Sequence, residues 1–267
     1  MRVVRPNLFL TSVPLLLCYN NHRFGGRGGK GWYRFSTFLY VISSSKWRQV
    51  LFDGILGMVS ILFALVIGIT IHEFCHAWAA NALGDPTARY MGRLTLNPVA
   101  HFDPLGAMMI LYSVIVGWGF GWGKPVPVNP RYLRYGPRVG MALTSVAGPV
   151  SNLLVALVAA TPFRVGLQLP GLLGQLILTI VYVNVGLALF NMLPIPPLDG
   201  FSVLSGVLST VRAKWAYDTV TRLDRLQAYG PMLFLLVIMA DQVLPFSILG
   251  TLLGKPAQWI FQVLMGW

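Results

Sequence analysis

His72, Glu73 and His76 are the residues of this chain best equipped for chemistry. They stand in Ile71-His72-Glu73-Phe74-Cys75-His76, and Glu73 is the only glutamate among 267 residues. Residues four apart on a helix lie one turn above each other, so the two imidazoles project from one face and can grip a single ion. Glu73 lies near that face but is too close to His72 along the chain to be an ideal third ligand. It is well placed to hydrogen-bond a water bound to the ion. Zinc lowers the pKa of such a water to about 7, and the carboxylate can take its proton as it attacks a carbonyl. The same carboxylate can later pass the proton to a leaving amine. The spelling H-E-x-x-H is the one used for this chemistry. The alternative is a pair of buried, hydrogen-bonded histidines with a carboxylate partner.

The element that must carry this trio is apolar. Eighteen uncharged residues, Gly54 to Ile71, run directly into the motif. A charge at mid-bilayer costs about 2.5–3.5 kcal/mol on insertion scales, so ionisable groups there are functional candidates by default. Apolar types make up 55% of the chain and charged types only 10%. That balance excludes an ordinary soluble domain and predicts an all-α polytopic membrane protein. The net charge of +12 is read as setting membrane topology, with no nucleic-acid partner. Two cysteines, Cys18 and Cys75, offer neither a disulfide framework nor a Cys-x-x-Cys site. Cys75 could be a ligand or redox switch, or a small packing residue at a variable position of the motif.

Residues 1–50 form a basic, glycine-rich arm of unassigned role, and residues 51–267 a membrane-embedded domain. Expected spans are 51–83, 140–162, 172–193 and 231–244, with a short last or interfacial helix beyond. Gly84-Asp85-Pro86 ends the first span. A stretch with some strand character follows at Ala88 to Asn97. Residues 105–122 are apolar but broken by Gly106, Gly117, Gly119 and Gly121.

A catalytic zinc needs a third protein ligand and an open position. No second glutamate exists, which leaves His22, His101 and the seven aspartates. His22 lies in the arm, and His101 is read as an outer-shell group or a polar helix end. Asp241 reads as interfacial. Asp199 is the strongest candidate, because it follows a long span in Asn191-Met192-Leu193-Pro194-Ile195-Pro196-Pro197-Leu198-Asp199-Gly200. Prolines there unwind the helix, and non-helical backbone at membrane depth is tolerated only within protein or beside a water-filled cavity.

Together these motifs resemble the site-2 proteases, the intramembrane zinc metalloproteases of peptidase family M50. The likeness extends through Gly84-Asp85-Pro86-Thr87-Ala88 and Gly92-Arg93-Leu94-Thr95-Leu96-Asn97-Pro98. It continues in Lys124-Pro125-Val126-Pro127-Val128-Asn129-Pro130 and Ala147-Gly148-Pro149-Val150-Ser151-Asn152. It covers about residues 58–240 and is closest to the compact bacterial branch without PDZ or CBS domains. The resemblance implies a three-helix core with flanking helices, and one Zn2+ held by His72, His76 and Asp199 with Glu73 as general base. It implies a substrate-binding role for Asn152, for which a helix–helix hydrogen bond is the alternative. The implied substrate is a single-pass or otherwise membrane-bound protein, cut within or near its spanning segment after an upstream site-1-type protease has trimmed it. Rival readings are a metal-ion or proton transporter and a catalytically silent homologue.

Sharing one ion constrains topology. An even number of crossings must separate the histidine pair from Asp199, so residues 105–122 are expected to dip in and return. Loops 84–139 and 194–229 then share a side and carry ten Lys or Arg. The positive-inside rule expects that side, and the active site, to face the cytoplasm of a bacterial cell membrane.

Overall fold

The computed structural model describes residues 54–116, 121–244 and 247–266. The arm expected at 1–50 and part of the 105–122 stretch lie outside them. Every regular element among the described residues is helical: α1 (Ile55–Ala82), α2 (Thr87–Tyr90), α3 (Pro104–Val116), α4 (Pro137–Arg164), α5 (Gly171–Asn191), α6 (Asp199–Thr210), α7 (Lys214–Gln227), α8 (Gly230–Val243) and α9 (Ile248–Met265), with 3-10 turns at Pro98–His101 and Pro130–Tyr132. Helices α1, α4 and α5 are long and apolar enough to cross a membrane, and α7 with α8 forms a pair bent by 83° that could supply a fourth span. The protein is an all-α polytopic membrane protein.

Helices α1 and α4 each bury a stripe of mostly small residues repeated every fourth position. On α1 the buried stripe is Ser60, Ala64, Gly68, His72, His76 and Ala80. On α4 it is Gly140, Thr144, Gly148, Asn152, Ala156 and Ala160. Such stripes let backbones approach closely where lipid removes any hydrophobic drive between helices. At Gly68 a β-carbon would stand 2.7 Å from Leu187 Cδ1 and 3.1 Å from the Asn184 amide oxygen, so those side chains would have to shift to admit one. The outer faces carry exposed apolar residues such as Phe63, Val66, Leu154 and Val158, as a lipid-facing surface requires.

Helix limits follow from local chemistry. Gly136, at φ 86°, and Pro137 at the first helical position start α4 three residues before the expected 140. Pro194 prevents α5 from continuing past Asn191. Helix α9 is a full 18 residues rather than a short tail. It closes a core of Ala156, Ala160, Leu178, Val181, Val185, Ala257, Phe261 and Met265, where Phe261 stacks on Tyr182.

One expectation is corrected. Ala88 to Asn97 contains no strand. Asp85 accepts hydrogen bonds from the Thr87 N–H at 3.0 Å and the Thr87 hydroxyl at 2.5 Å, which winds the chain into the turn of α2. Gly92, at φ 68°, then reverses it, and the Arg93 N–H returns to the Ala88 carbonyl. Asp241 is buried, 1% exposed. Its carboxylate accepts from the Leu249 N–H at 2.8 Å and the Ser247 hydroxyl at 3.1 Å, tying the start of α9 to the end of α8.

Candidate metal centre

The stripes that join α1 to α4 also build the site. His72 and His76 take two consecutive places in the α1 stripe, and Thr144, Gly148 and Asn152 take three in the α4 stripe. His72 Nδ1 donates to Asn152 Oδ1 at 2.7 Å, and His76 Nδ1 donates to the Thr144 carbonyl at 2.8 Å. Between these two contacts Gly148 leaves room for the rings. A β-carbon there would lie 2.5 Å from His76 Nε2 and 2.6 Å from His72 Cε1.

With both Nδ1 protons committed, each Nε2 lone pair faces the other ring, 2.9 Å away. Asp199 completes the group. Its Oδ2 lies 3.1 Å from His72 Nε2 and 3.3 Å from His76 Nε2. Asp199 opens α6 just after the turn that ends α5, where Pro194, Pro196 and Pro197 offer no N–H to a helix. A side chain at Gly200 would overlap the Met192 and Leu193 carbonyls, so glycine there lets α6 fold back against the end of α5.

Two lone pairs and an ionised carboxylate at this spacing require a cation or protons between them. Ligands about 2.0–2.1 Å from a tetrahedral zinc stand roughly 3.3 Å apart, close to the separations found here. The donors, two imidazoles and a carboxylate oxygen, fit that ion. Among the described residues this is the one group of three or more such side chains that could hold a metal.

Glu73 points elsewhere. Its Oε2 accepts the Val126 N–H at 3.1 Å, and with His72 it lines a cleft of about 530 Å³ walled by Trp122, Phe190, Asn191 and Phe234. This opening is thus lined both by an imidazole of the His72, His76 and Asp199 group and by a carboxylate.

Asn152 is fully buried and makes three hydrogen bonds. Besides His72, its Nδ2 donates to the Gly68 carbonyl at 3.1 Å and to Asn184 Oδ1 at 2.9 Å. These bonds join α4 to α1 and α5. His101 is 2% exposed, bonds the Thr95 carbonyl at 2.8 Å, and stands outside the cluster. Cys75 lines a separate apolar groove with Ile67, Ile71 and Ser151. Sequence reasoning missed Thr144 and Asn184, and it gave no role to Gly148 and Val126 within the motifs that contain them. For Asn184 a signal existed, an amide in the middle of an apolar span.

The sequence pattern of peptidase family M50 matches residues 169–237, a stretch that includes Asp199 and lies beyond the histidine pair. A protein of Bacillus subtilis (strain 168), "Putative zinc metalloprotease YwhC", is 36% identical over 188 residues, which are 67% of this chain and 80% of that protein. "Putative zinc metalloprotease Rip2" of Mycobacterium tuberculosis is 28% identical over 148 residues, 55% of this chain and 56% of Rip2. A Mycolicibacterium smegmatis protein of the same name is 26% identical over 175 residues, 61% of this chain and 62% of its own. The chain thus spans little more than half the length of the Rip2 proteins. No solved structure matches. At that identity to YwhC and over that share of its length, the likeness is one of common descent, and the chain belongs to peptidase family M50.

Proposed function

We propose that this metalloprotease is an intramembrane zinc endopeptidase that cuts membrane-bound protein substrates within or near their spanning segments. The observation that carries the reading is the meeting of His72, His76 and Asp199 within 3.3 Å, inside an apolar helix pair, beside a cleft that also contains Glu73. The residues that would hold the ion are His72, His76 and Asp199, through Nε2, Nε2 and Oδ2. Zinc, when bound, supplies a Lewis acid that polarises a carbonyl and acidifies water. Glu73 takes the proton of the attacking water on a carboxylate oxygen and passes it to the leaving amine. Asn152 and the Thr144 carbonyl hold the imidazoles in the ligating tautomer, so Asn152 acts as a positioning residue rather than a substrate contact. A helical peptide bond is shielded by its own hydrogen bonds, and the substrate must unwind before its carbonyl enters the cleft. Phe190, Phe234 and Trp122 give that unwound segment apolar walls.

The preceding cut by a site-1-type protease, which would leave a short membrane-bound stub, follows from the family resemblance. So does a bacterial cell membrane. The ten basic residues of loops 84–139 and 194–229 support a cytoplasmic active-site opening. The Lys124 N–H donates to the His101 carbonyl at 2.9 Å, so the two ends of the segment holding α3 meet, which supports a re-entrant path.

Two expected results follow. Chelation should abolish cleavage of a helical membrane substrate in proteoliposomes, and stoichiometric zinc should restore it. Cleavage that survives complete metal removal, or zinc flux that depends on His72, would contradict the proposal. Asn152→Ala should weaken zinc binding by about 10- to 100-fold, read by competition with a chromogenic chelator. Unchanged affinity would leave Asn152 with an interhelical role alone.

A further inference from the structure

Two of the sequence motifs outside the metal centre, around Asp85 and Arg93, converge on a third, the strap of residues 124–130. Lys124 donates its N–H to the His101 carbonyl at 2.9 Å. Asn129 donates its N–H to Asp85 Oδ2 at 2.6 Å. Arg93 Nη2 donates to the carbonyls of both Lys124 and Pro125, the latter at 3.1 Å. Arg93 is 5% exposed, and its Nε has no partner. Among the described residues it has no carboxylate within ion-pair distance. A buried guanidinium cannot shed its charge, so such a position is costly unless the cation does something there.

The geometry of one peptide group says what it does. The bond from Pro125 to Val126 is trans and planar, so its carbonyl and its N–H point in opposite directions. The carbonyl side faces Arg93, and the N–H side donates to Glu73 Oε2 at 3.1 Å. Turning the carbonyl toward the cation therefore turns the N–H toward the carboxylate. Pro125 and Pro127 restrict φ at their own positions and hold Lys124 and Val126 extended, so the strap resists the rotation that would break the link. Hydrogen bonds in series also polarise one another, which strengthens a donor whose carbonyl rests on a cation.

We infer that Arg93 is a positioning residue for Glu73, acting through the Pro125–Val126 peptide group to fix the carboxylate against the cleft. This rests on Glu73 serving as the general base. The Gly92-Arg93 and Lys124-to-Pro130 motifs then belong to the active site through backbone groups, with Asp85 and His101 as the strap's anchors.

The test is a double-variant cycle on full-length protein in proteoliposomes, with rates taken per zinc-loaded chain. Arg93→Gln removes the cation, and Val126→Pro removes the N–H while keeping an extended strap. Each should lower kcat by about 10- to 100-fold with zinc content unchanged, and KM should stay within about two-fold. The combined variant should be no slower than Val126→Pro alone, because the cation acts only through that N–H. Amide exchange in a peptide covering 124–130 should quicken in Arg93→Gln. Full kcat in either single variant, a rise in KM alone, multiplying effects, or unchanged exchange would each overturn the inference. If Arg93→Gln does not accumulate, Arg93→Lys takes its place, with a kcat between wild type and Val126→Pro expected and wild-type kcat overturning the inference. Glu73→Gln in the same assay separates the two levels. Its activity would sink the general-base reading, whereas an inactive Glu73→Gln beside a fully active Val126→Pro would sink this inference alone.

Discussion

Glu73→Gln is expected to purify with wild-type zinc content and to cleave about 10²- to 10⁴-fold more slowly, the usual contribution of a general base. The substitution keeps the shape of the side chain and its capacity to accept the Val126 N–H, so the strap stays in place. It removes only the ability to take a proton. The two results separate because Glu73 lies outside the group of residues that converge on the ion. Zinc analysis and a cleavage assay on one preparation check both halves. Loss of metal would mean that Glu73 is a ligand, and undiminished cleavage would mean that the water is activated elsewhere.

Asp199→Ala has the opposite signature, loss of zinc and of activity together. The carboxylate supplies the one anionic donor, and without it two imidazoles on a single helix must hold a dication alone. The affinity loss should exceed the roughly 10- to 100-fold that outer-shell changes cost. Asp199→Asn should behave in the same way, since it keeps the volume but loses the charge. Its effect on folding should be small, because an acidic side chain in a helix's first turn contributes only about 0.3–1 kcal/mol. Zinc stoichiometry after dialysis against a weak chelator checks this. A fully loaded Asp199→Ala protein would require another third ligand.

Much of this centre was legible in the sequence because its residue types are expensive in an apolar chain. His72, Glu73 and His76 carry their geometry in their spacing, and the prolines before Asp199 mark a break that only a site or a cavity tolerates. What stayed hidden acts without a distinctive side chain. Gly148 matters for the atom it lacks, Thr144 contributes a backbone carbonyl, and Val126 contributes a backbone N–H. Asn152 was visible as a buried amide, but composition cannot say whether such a group bonds substrate, helix or ligand. The strand expected at 88–97 failed because β-compatible residues there are overruled by Asp85, whose hydrogen bonds to Thr87 wind the chain. The role of Asp241 was hidden for a related reason, since only the fold brings the N-terminus of the next helix to its carboxylate.

The most direct test of the central claim is mass-spectrometric mapping of the cut. A helical single-pass substrate would be co-reconstituted with wild-type protein or with Glu73→Gln in sealed proteoliposomes. The account predicts wild-type products that end within or at the edge of the spanning segment, and none from Glu73→Gln. Cuts confined to the soluble part of the substrate, or the same products from both proteins, would contradict it.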